Sequence, residues 1–198
     1  MSTLPLTELE AVNTMLEVIG EAPVNTLEIS GVTEVSIARS ILNATSRNFQ
    51  ARGWSFNTEK DYPLVLDEFG QVNLPTNTLQ VDATDRSLDV VQRGSKLYDK
   101  ANHTYIFTEA PKAEITFFLP FEELPHPVKA YLTIAAGRDF QRKVVGSDSL
   151  NGFTQEDEMK ALVAVSEYEA DTEDYSIFYS YSVARPILRN QNPKAIGG

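Results

Sequence analysis

The chain carries AVNTMLEVIGEAPVNTL at residues 11–27 and RSILNATSRNFQARGWSFN at residues 39–57. Both segments show the three-and-four spacing of apolar residues that is typical of an amphipathic helix. The first helix is expected to begin at Thr7, because Thr7 and Glu10 fit a capping box, and to end at Gly20. Its apolar face is formed by Leu9, Val12, Leu16 and Ile19.

The second segment predicts a helix from Thr33 or Glu34 to Arg52, closed by Gly53. Its expected buried stripe consists of Ala38, Ile41, Leu42, Thr45 and Phe49. Trp54 follows where the helical pattern stops. A large aromatic side chain at such a junction usually anchors one part of a fold on another, so Trp54 is predicted to belong to a core between two lobes.

Residues 54–124 follow a different pattern. Short runs rich in β-branched and aromatic residues alternate with turn formers such as Gly70 and Gly94. Evenly spaced short strands of this kind are typical of a small antiparallel sandwich or barrel. The predicted strands lie at residues 54–56, 62–66, 79–81, 88–91, 96–98, 104–107 and 115–119.

Helical spacing returns after Pro125. A third helix is predicted to end near Gly146, and a fourth to begin after the N-cap Thr154. The apolar faces are Val128, Leu132, Ala135, Ala136, Phe140 and Val144 in the third, and Met159, Leu162, Val163, Ser166 and Ala170 in the fourth. Since no single helix buries its stripe alone, the four are expected to pack together as a bundle.

The sequence therefore predicts an α+β fold with three parts. A four-helix bundle, made of two N-terminal and two C-terminal helices, receives an inserted small antiparallel β sandwich or barrel and is followed by an extended C-terminal tail. The predicted boundaries are 1–53 plus 125–174 for the bundle, 54–124 for the β insertion and 175–198 for the tail. Pro186 and Pro193 favour extended chain in the tail.

Composition and charge exclude several classes of function. The chain has no cysteine, which removes disulfides and thiolate metal sites. No apolar run approaches the roughly 20 residues that span a bilayer, and no signal-peptide pattern opens the chain, so we expect cytoplasmic synthesis and no membrane contact. The net charge is −11, from 28 acidic and 17 basic residues, which argues against a protein that grips nucleic acid.

Sequence motifs for catalysis or cofactor binding are absent. We find no Gly-rich phosphate loop, HExxH pair or GxSxG elbow. His103 and His126, the two histidines, are predicted to be ordinary surface or boundary residues. Carboxylate pairs of the kind that glycosidases use occur at Glu122 and Glu123 and at Asp82 and Asp85. Such pairs arise by chance among 28 acids, so we predict no catalytic residue, metal or cofactor.

The C-terminal tail has the composition of a docking segment. Residues 175–198 contain no acid, directly after an acidic stretch at residues 154–174. Aromatic side chains beside arginines are typical anchors of protein interfaces. The candidate docking residues are Phe178, Tyr179, Tyr181, Arg185 and Arg189. Packing of residues 175–178 back over the bundle is the alternative.

Four arginines lie on the polar sides of the second and third predicted helices. They are Arg47, Arg52, Arg138 and Arg142. One interpretation is solvated salt bridging to nearby acids, and the other is charge pairing between copies of the chain. The sequence leaves both open.

The order and spacing of several segments resemble the tail tubular protein A family of short-tailed, T7-like bacteriophages. Besides the two opening segments, the matching segments are Arg93-Gly94, Leu97-Tyr98-Asp99, Glu123-Leu124-Pro125, Tyr131-Leu132 and residues 135–141, 145–147 and 174–178. The resemblance covers nearly the whole chain.

The resemblance implies a structural virion protein that takes part in DNA ejection. Such a protein forms a ring of about twelve copies that joins the portal to the tail nozzle and encloses the DNA channel. The helical lobe would face the portal, and the β lobe would face the nozzle protein, which is of the tail tubular B type. The expected partners are the portal, the nozzle and other copies of the chain, with tail fibres as further candidates, while DNA passes without specific binding.

The same resemblance gives the candidate surfaces their expected roles. The docking residues of the tail would contact the portal, and the four arginines would lie between subunits of the ring. The alternative function is a glycan hydrolase that acts on host polysaccharide through a carboxylate pair. A nucleic-acid-binding regulator is a third interpretation, which the net charge disfavours.

Overall fold

The computed structural model describes residues 6–28, 33–146 and 152–179, with side chains as far as Thr172 in the last helix. The described helices are α1 (Glu8–Val18), α2 (Thr33–Gln50), α3 (His126–Val144) and α4 (Gln155–Tyr179). The strands are β1 (Thr58–Pro63), β2 (Thr78–Ala83), β3 (Val90–Arg93), β4 (Lys96–Asp99) and β5 (Lys112–Phe117), and a short 3-10 helix spans Phe121–Glu123. The predicted α+β class is confirmed, with four helices and small antiparallel sheets.

The start and end of α1 follow from local chemistry. The Thr7 side chain accepts a hydrogen bond from the Glu10 backbone N–H at 3.2 Å, and the Thr7 N–H donates to the Glu10 carboxylate at 2.8 Å. This is the capping box that the sequence predicted. Gly20 then adopts the left-handed conformation, with φ of +83°, that suits a glycine after a helix end.

Helix α3 is central in the helical part. It contacts α1, α2 and α4, and α1 also contacts α2. Because α3 is covered on several sides, its buried residues extend beyond a single stripe. The apolar cluster that these helices enclose includes Leu16, Leu42, Leu132 and Phe140, each at most 1% exposed.

A glycine inside α3 lets the chain between α3 and α4 pack closely. A Cβ atom at Gly137 would lie 2.7 Å from a ring carbon of Phe153, closer than real Cβ contacts. The aromatic ring therefore occupies the space that any larger residue at position 137 would need.

The strands form two antiparallel sheets. One has the order β1-β5-β2, and the other is the β3–β4 hairpin. The sheets enclose a second apolar cluster, in which Val72, Leu97 and Ile115 are fully buried. Leu119, just after β5, packs against both this β cluster and the helical cluster.

Two predicted strands lie outside the sheets. Residues 54–56 form a turn because Trp54 and Phe56 pack against the helical cluster instead of pairing with a strand. Residues 104–107 take part only in isolated bridges, from Thr104 to Asp99 and from Ile106 to Gln71. Their strand-like composition reflects local packing instead of a continuous ladder.

Helix α4 differs from the prediction in length and in the face that it buries. It continues to Tyr179, past the predicted boundary at residue 174, and neither proline nor glycine interrupts it. The predicted inward face was wrong for Met159 and Val163, which are 63% and 54% exposed, whereas Val165 is fully buried. Since α4 has apolar residues on two sides, spacing alone did not identify the buried one.

Candidate functional site

The junction between the helical and β parts begins at Gly53. This residue has φ of +75°, and a Cβ atom there would lie 3.3 Å from Thr116 Oγ1 and 3.4 Å from Thr58 Oγ1. Glycine is therefore required both for the backbone conformation and for the close approach of the chain to β1 and β5.

Trp54 follows on the helical side of the junction. Its half-buried ring stacks on Phe49 with a centroid distance of 4.6 Å, and its Nε1–H donates to the Phe49 carbonyl at 2.8 Å. It also packs against the helical cluster. The indole is thus held by both its apolar face and its polar edge.

A buried glutamine connects α2 to the chain that leaves β5. Gln50 is fully buried, and its side chain donates to the Leu119 carbonyl at 3.0 Å and accepts from the Leu119 N–H at 2.8 Å. The same amide nitrogen donates to Ser46 Oγ at 2.9 Å. All polar atoms of this amide are therefore used in bonds that hold the two parts together.

A second buried amide lies beside the first. Asn57 donates from Nδ2 to the carbonyls of Gln50, at 3.0 Å, and Phe117, at 2.8 Å. Its Oδ1 accepts from the Trp54 N–H at 2.9 Å. Gln50 and Asn57 form one network, which we call the junction network, and satisfied networks of this kind restrict a fold to one arrangement.

Helix α4 also reaches the junction. The Glu169 carboxylate accepts from the Ser55 hydroxyl at 2.8 Å and from the Ser55 backbone N–H. The sequence does not single out Gln50, Asn57 or Glu169, because each resembles an ordinary polar position in its local sequence. Their partners across the junction, which are Leu119, Phe117 and Ser55, lie 60 to 114 residues away, so no local signal revealed the junction.

The four candidate arginines are placed on the helical part, and most have contacts within the chain. Arg138 forms a salt bridge with Glu158 of α4, and Arg142 forms one with Asp139. The guanidinium of Arg47 lies over the Phe118 ring, 4.6 Å from its centroid. Arg52 is exposed and forms no salt bridge within the part of the chain that the structure describes. Arg138 and Arg142 thus contact acids of the same chain, whereas the contact of Arg47 is with an aromatic ring.

The candidate docking residues fall mainly outside the described structure. Phe178 and Tyr179 are in the last turn of α4, but their side chains are beyond the described ones. Tyr181, Arg185 and Arg189 lie outside the described residues.

Three of the four candidate carboxylates accept hydrogen bonds from backbone N–H groups. Asp85 accepts a hydrogen bond from the Ser87 backbone N–H at 2.9 Å, and this bond lowers the pKa of Asp85. A lowered pKa suits a carboxylate that closes a turn and opposes the role of proton donor near neutral pH. Asp82 accepts from the N–H of the next residue, and Glu122 accepts from the Glu8 N–H at 3.3 Å.

The two histidines also occupy structural positions. His103 lies in the turn after β4, with φ of +55°, and His126 is the first residue of α3. Within residues 6–28, 33–146 and 152–179, no group of three histidine or carboxylate side chains is placed to hold a metal ion.

The β part presents exposed apolar side chains on a well-ordered turn. Asp67 accepts hydrogen bonds from the N–H groups of Phe69, at 3.0 Å, and Gln71, at 2.8 Å. Val65, Phe69 and Ile106, which we call the β patch, are 75%, 68% and 59% exposed. The isolated bridge between Gln71 and Ile106 places Ile106 beside this turn. Large apolar side chains grouped on a rigid surface are typical of interaction sites.

Comparison with known proteins identifies the family of the chain. A family model described as Tail tubular protein matches residues 9–175. The chain belongs to the tail tubular protein family. A relative, Tail tubular protein A of Klebsiella phage KP34, is 29% identical over 164 residues, which make up 81% of this chain and 86% of that protein.

Membership in the tail tubular protein family decides the class of function. The chain is a structural phage protein of the virion tail that associates with other tail components, and it is not an enzyme. The alternative of a glycan hydrolase is therefore wrong. Among the helices described between residues 8 and 179, none combines the length and the apolar character that crossing a membrane requires.

Proposed function

We propose that this tail tubular protein is a ring-forming adaptor that joins the portal to the tail nozzle and encloses the DNA channel. The observation that best supports this role is the junction network. Gln50 and Asn57 connect α2 to the β5 segment through buried hydrogen bonds, so the helical and β clusters keep one relative position. An adaptor between two partners needs its two binding surfaces held in a fixed relation.

The finer architecture belongs to the same proposal. The helical part would be a four-helix bundle, residues 1–53 plus 125–174, and the β part a small sandwich, residues 54–124. The two separate apolar clusters support this division, since each lobe then has its own core. Trp54 would be part of the core between the lobes, since it follows Gly53, where the chain passes from α2 to β1.

Different surfaces would serve different partners. The docking residues of the tail (Phe178, Tyr179, Tyr181, Arg185 and Arg189) would contact the portal, and the β patch would contact the nozzle. Arg47, Arg52, Arg138 and Arg142 would lie at subunit boundaries. Arg52 and Arg142 are exposed, which supports a contact of these two side chains with a neighbouring subunit. Arg138 already pairs with Glu158 of its own chain, so it would contribute less to such a contact.

The charge of the chain fits a channel wall. A net charge of −11 repels DNA, so DNA would pass through the ring during ejection without specific binding. The protein would be made in the host cytoplasm and assembled into the tail, where tail fibres are further candidate partners.

Native mass spectrometry with and without the cognate portal protein tests the adaptor role. We expect the portal mixture to contain a closed oligomer of about twelve copies of this chain, because heterologous contacts close into a ring when their rotation permits. The proposal is wrong if the chain remains monomeric and unbound in the presence of excess portal protein.

A further inference from the structure

Helix α4 has an outward-facing stripe that the rest of the described chain leaves exposed. On the inner side, Val165 is fully buried and Leu162 packs against the helical cluster. On the outer side, Met159 is 63% exposed and Val163 is 54% exposed. Ser166 and Ala170, both exposed, continue this side at helical spacing. We call these four residues the outer stripe.

The outer stripe has the properties of a contact surface. Single exposed apolar residues are common, but Met159 and Val163 are neighbours one turn apart on the same helix face. Ser166 and Ala170 have small side chains, so another helix can approach the backbone of α4 closely along these two turns. Glu167, which is exposed, borders the stripe, as do Glu156 and Lys160, which form a salt bridge with each other at 2.7 Å.

A groove on α2 has matching properties. It has a volume of about 330 Å³ and is lined by Thr33, Ser36, Ile37, Ser40, Ile41 and Lys143. Ile37 and Ile41 provide an apolar floor, while the short hydroxyl side chains keep the groove open. Lys143 stands at its edge in the last turn of α3, next to Arg142.

The stripe and the groove are complementary in shape and in charge. An apolar ridge with Glu167 at its border faces an apolar groove with Lys143 at its edge, and opposite charges of this kind fix the orientation of two surfaces. The stripe is on α4, whereas the groove is on α2, so the two are different surfaces of one chain. A contact between different surfaces is heterologous, and repeated copies of it can close into a ring.

We propose that the outer stripe of α4 in one copy docks into the α2 groove of the next copy. This inference rests on the proposed ring and assigns the surfaces that build it. Each subunit contributes its stripe to one neighbour and its groove to the other.

Site-directed crosslinking tests this contact directly, because the chain contains no cysteine of its own. A double variant with Ser40→Cys in the groove and Val163→Cys in the stripe is assembled with the portal and treated with a short thiol-to-thiol crosslinker. We expect a ladder of covalent multimers that ends at the ring. We expect each single variant to run as a monomer in the denatured sample. The reason is that the stripe contacts a groove and not another stripe, so two identical cysteines do not come close enough to be crosslinked.

A matched control pair keeps Val163→Cys and replaces Ser40→Cys by Glu59→Cys, an exposed position on β1. If the control pair crosslinks as well as the groove pair, or if Val163→Cys alone gives dimers, the stripe-to-groove contact is wrong. If native mass spectrometry shows a ring but the groove pair gives no ladder, the contact is wrong while the adaptor proposal stands. If the unmodified chain forms no ring, the adaptor proposal itself fails.

Charge insertion provides a second readout. Met159→Lys with Val163→Lys places two cations on the stripe, and Ser36→Arg with Ser40→Arg fills the groove. The four substituted positions are all exposed, so both variants should keep the thermal unfolding of the parent chain. We expect both to lose the ring, while Glu59→Lys retains it. Folded stripe or groove variants that still form the ring would overturn the assignment.

Discussion

Gln50 and Leu119 exchange two hydrogen bonds although 69 residues separate them in the chain. The Leu119 N–H donates to Gln50 Oε1 at 2.8 Å, and Gln50 Nε2 donates to the Leu119 carbonyl at 3.0 Å. The side chain of Gln50 thus pairs with a backbone segment as a neighbouring strand would. Because Leu119 contacts both apolar clusters, this pair lies where the helical part and the β part meet.

Replacement of Gln50 by leucine should destabilise the protein strongly. Gln50→Leu keeps the approximate volume but leaves the N–H and C=O of Leu119 buried without partners. We expect the free energy of unfolding, measured with urea, to fall by about 2–4 kcal/mol. Asn43→Leu, at an exposed position of the same helix, is the matched control, with an expected change below about 0.5 kcal/mol. Equal effects for the two variants would show that the pair adds nothing to stability.

Local signals in the sequence predicted much of the fold, whereas features that depend on contacts between remote residues could not be predicted. Thr7 and Glu10 interact within one turn, so the start of α1 could be predicted from the sequence. Gln50 could not be recognised as buried, since its partner at Leu119 is remote in sequence. The burial of Val165 was missed for a related reason: α4 has apolar residues on two sides, and only packing against α3 selects one of them.

Alanine at position 137 should destabilise the protein, against the usual trend for helices. Gly→Ala inside a helix normally adds about 0.5–1 kcal/mol to stability. At Gly137 the new methyl group would meet the Phe153 ring, and overpacking of this kind costs about 1–3 kcal/mol. Thermal unfolding of Gly137→Ala in the parent and in Phe153→Ala backgrounds separates the two effects. We expect Gly137→Ala to lower the thermal stability of the parent chain and to raise that of the Phe153→Ala variant. Higher stability in both backgrounds would disprove the clash.

Truncation of Trp54 tests the packing at the junction. Trp54→Ala removes the stack on Phe49 and the hydrogen bond to its carbonyl. Since the ring is half-buried, we expect the free energy of unfolding to fall by about 3 kcal/mol, which is at the lower end of the range for truncation of large aromatic residues. Trp54 is the only tryptophan, so its fluorescence reports on this site alone. A loss below about 1 kcal/mol, together with emission typical of an indole in water, would place the ring at the surface.

The chain should not bind duplex DNA at physiological salt. Its net charge of −11 repels phosphates, and Arg138 and Arg142 form salt bridges with acids of the same chain. Fluorescence anisotropy with a labelled duplex in about 150 mM salt should give no binding up to micromolar protein. A dissociation constant below micromolar in that salt would contradict the picture of a wall that DNA passes.

Removal of the residues after Ser182 should separate portal binding from folding. In the part of the chain that the structure describes, the two apolar clusters are made of residues up to Val165, so we expect the truncated chain to remain folded. It loses Arg185 and Arg189, which are suited to bidentate pairs with carboxylates of a partner. We therefore expect normal thermal unfolding but portal affinity that is reduced at least about tenfold, corresponding to about 1.4 kcal/mol.

A full-length variant with Arg185→Ala and Arg189→Ala distinguishes charge from chain length. If the arginines anchor the tail, this variant should lose most of the affinity that truncation removes, because hydrogen bonds to charged groups contribute more than neutral ones. Surface plasmon resonance on immobilised portal measures both variants against the parent chain, with Arg86→Ala as an exposed arginine control on the β part. Parent-like binding by the truncated chain would show that the tail does not dock on the portal. Unfolding of the truncated chain would show instead that residues after Ser182 complete the core.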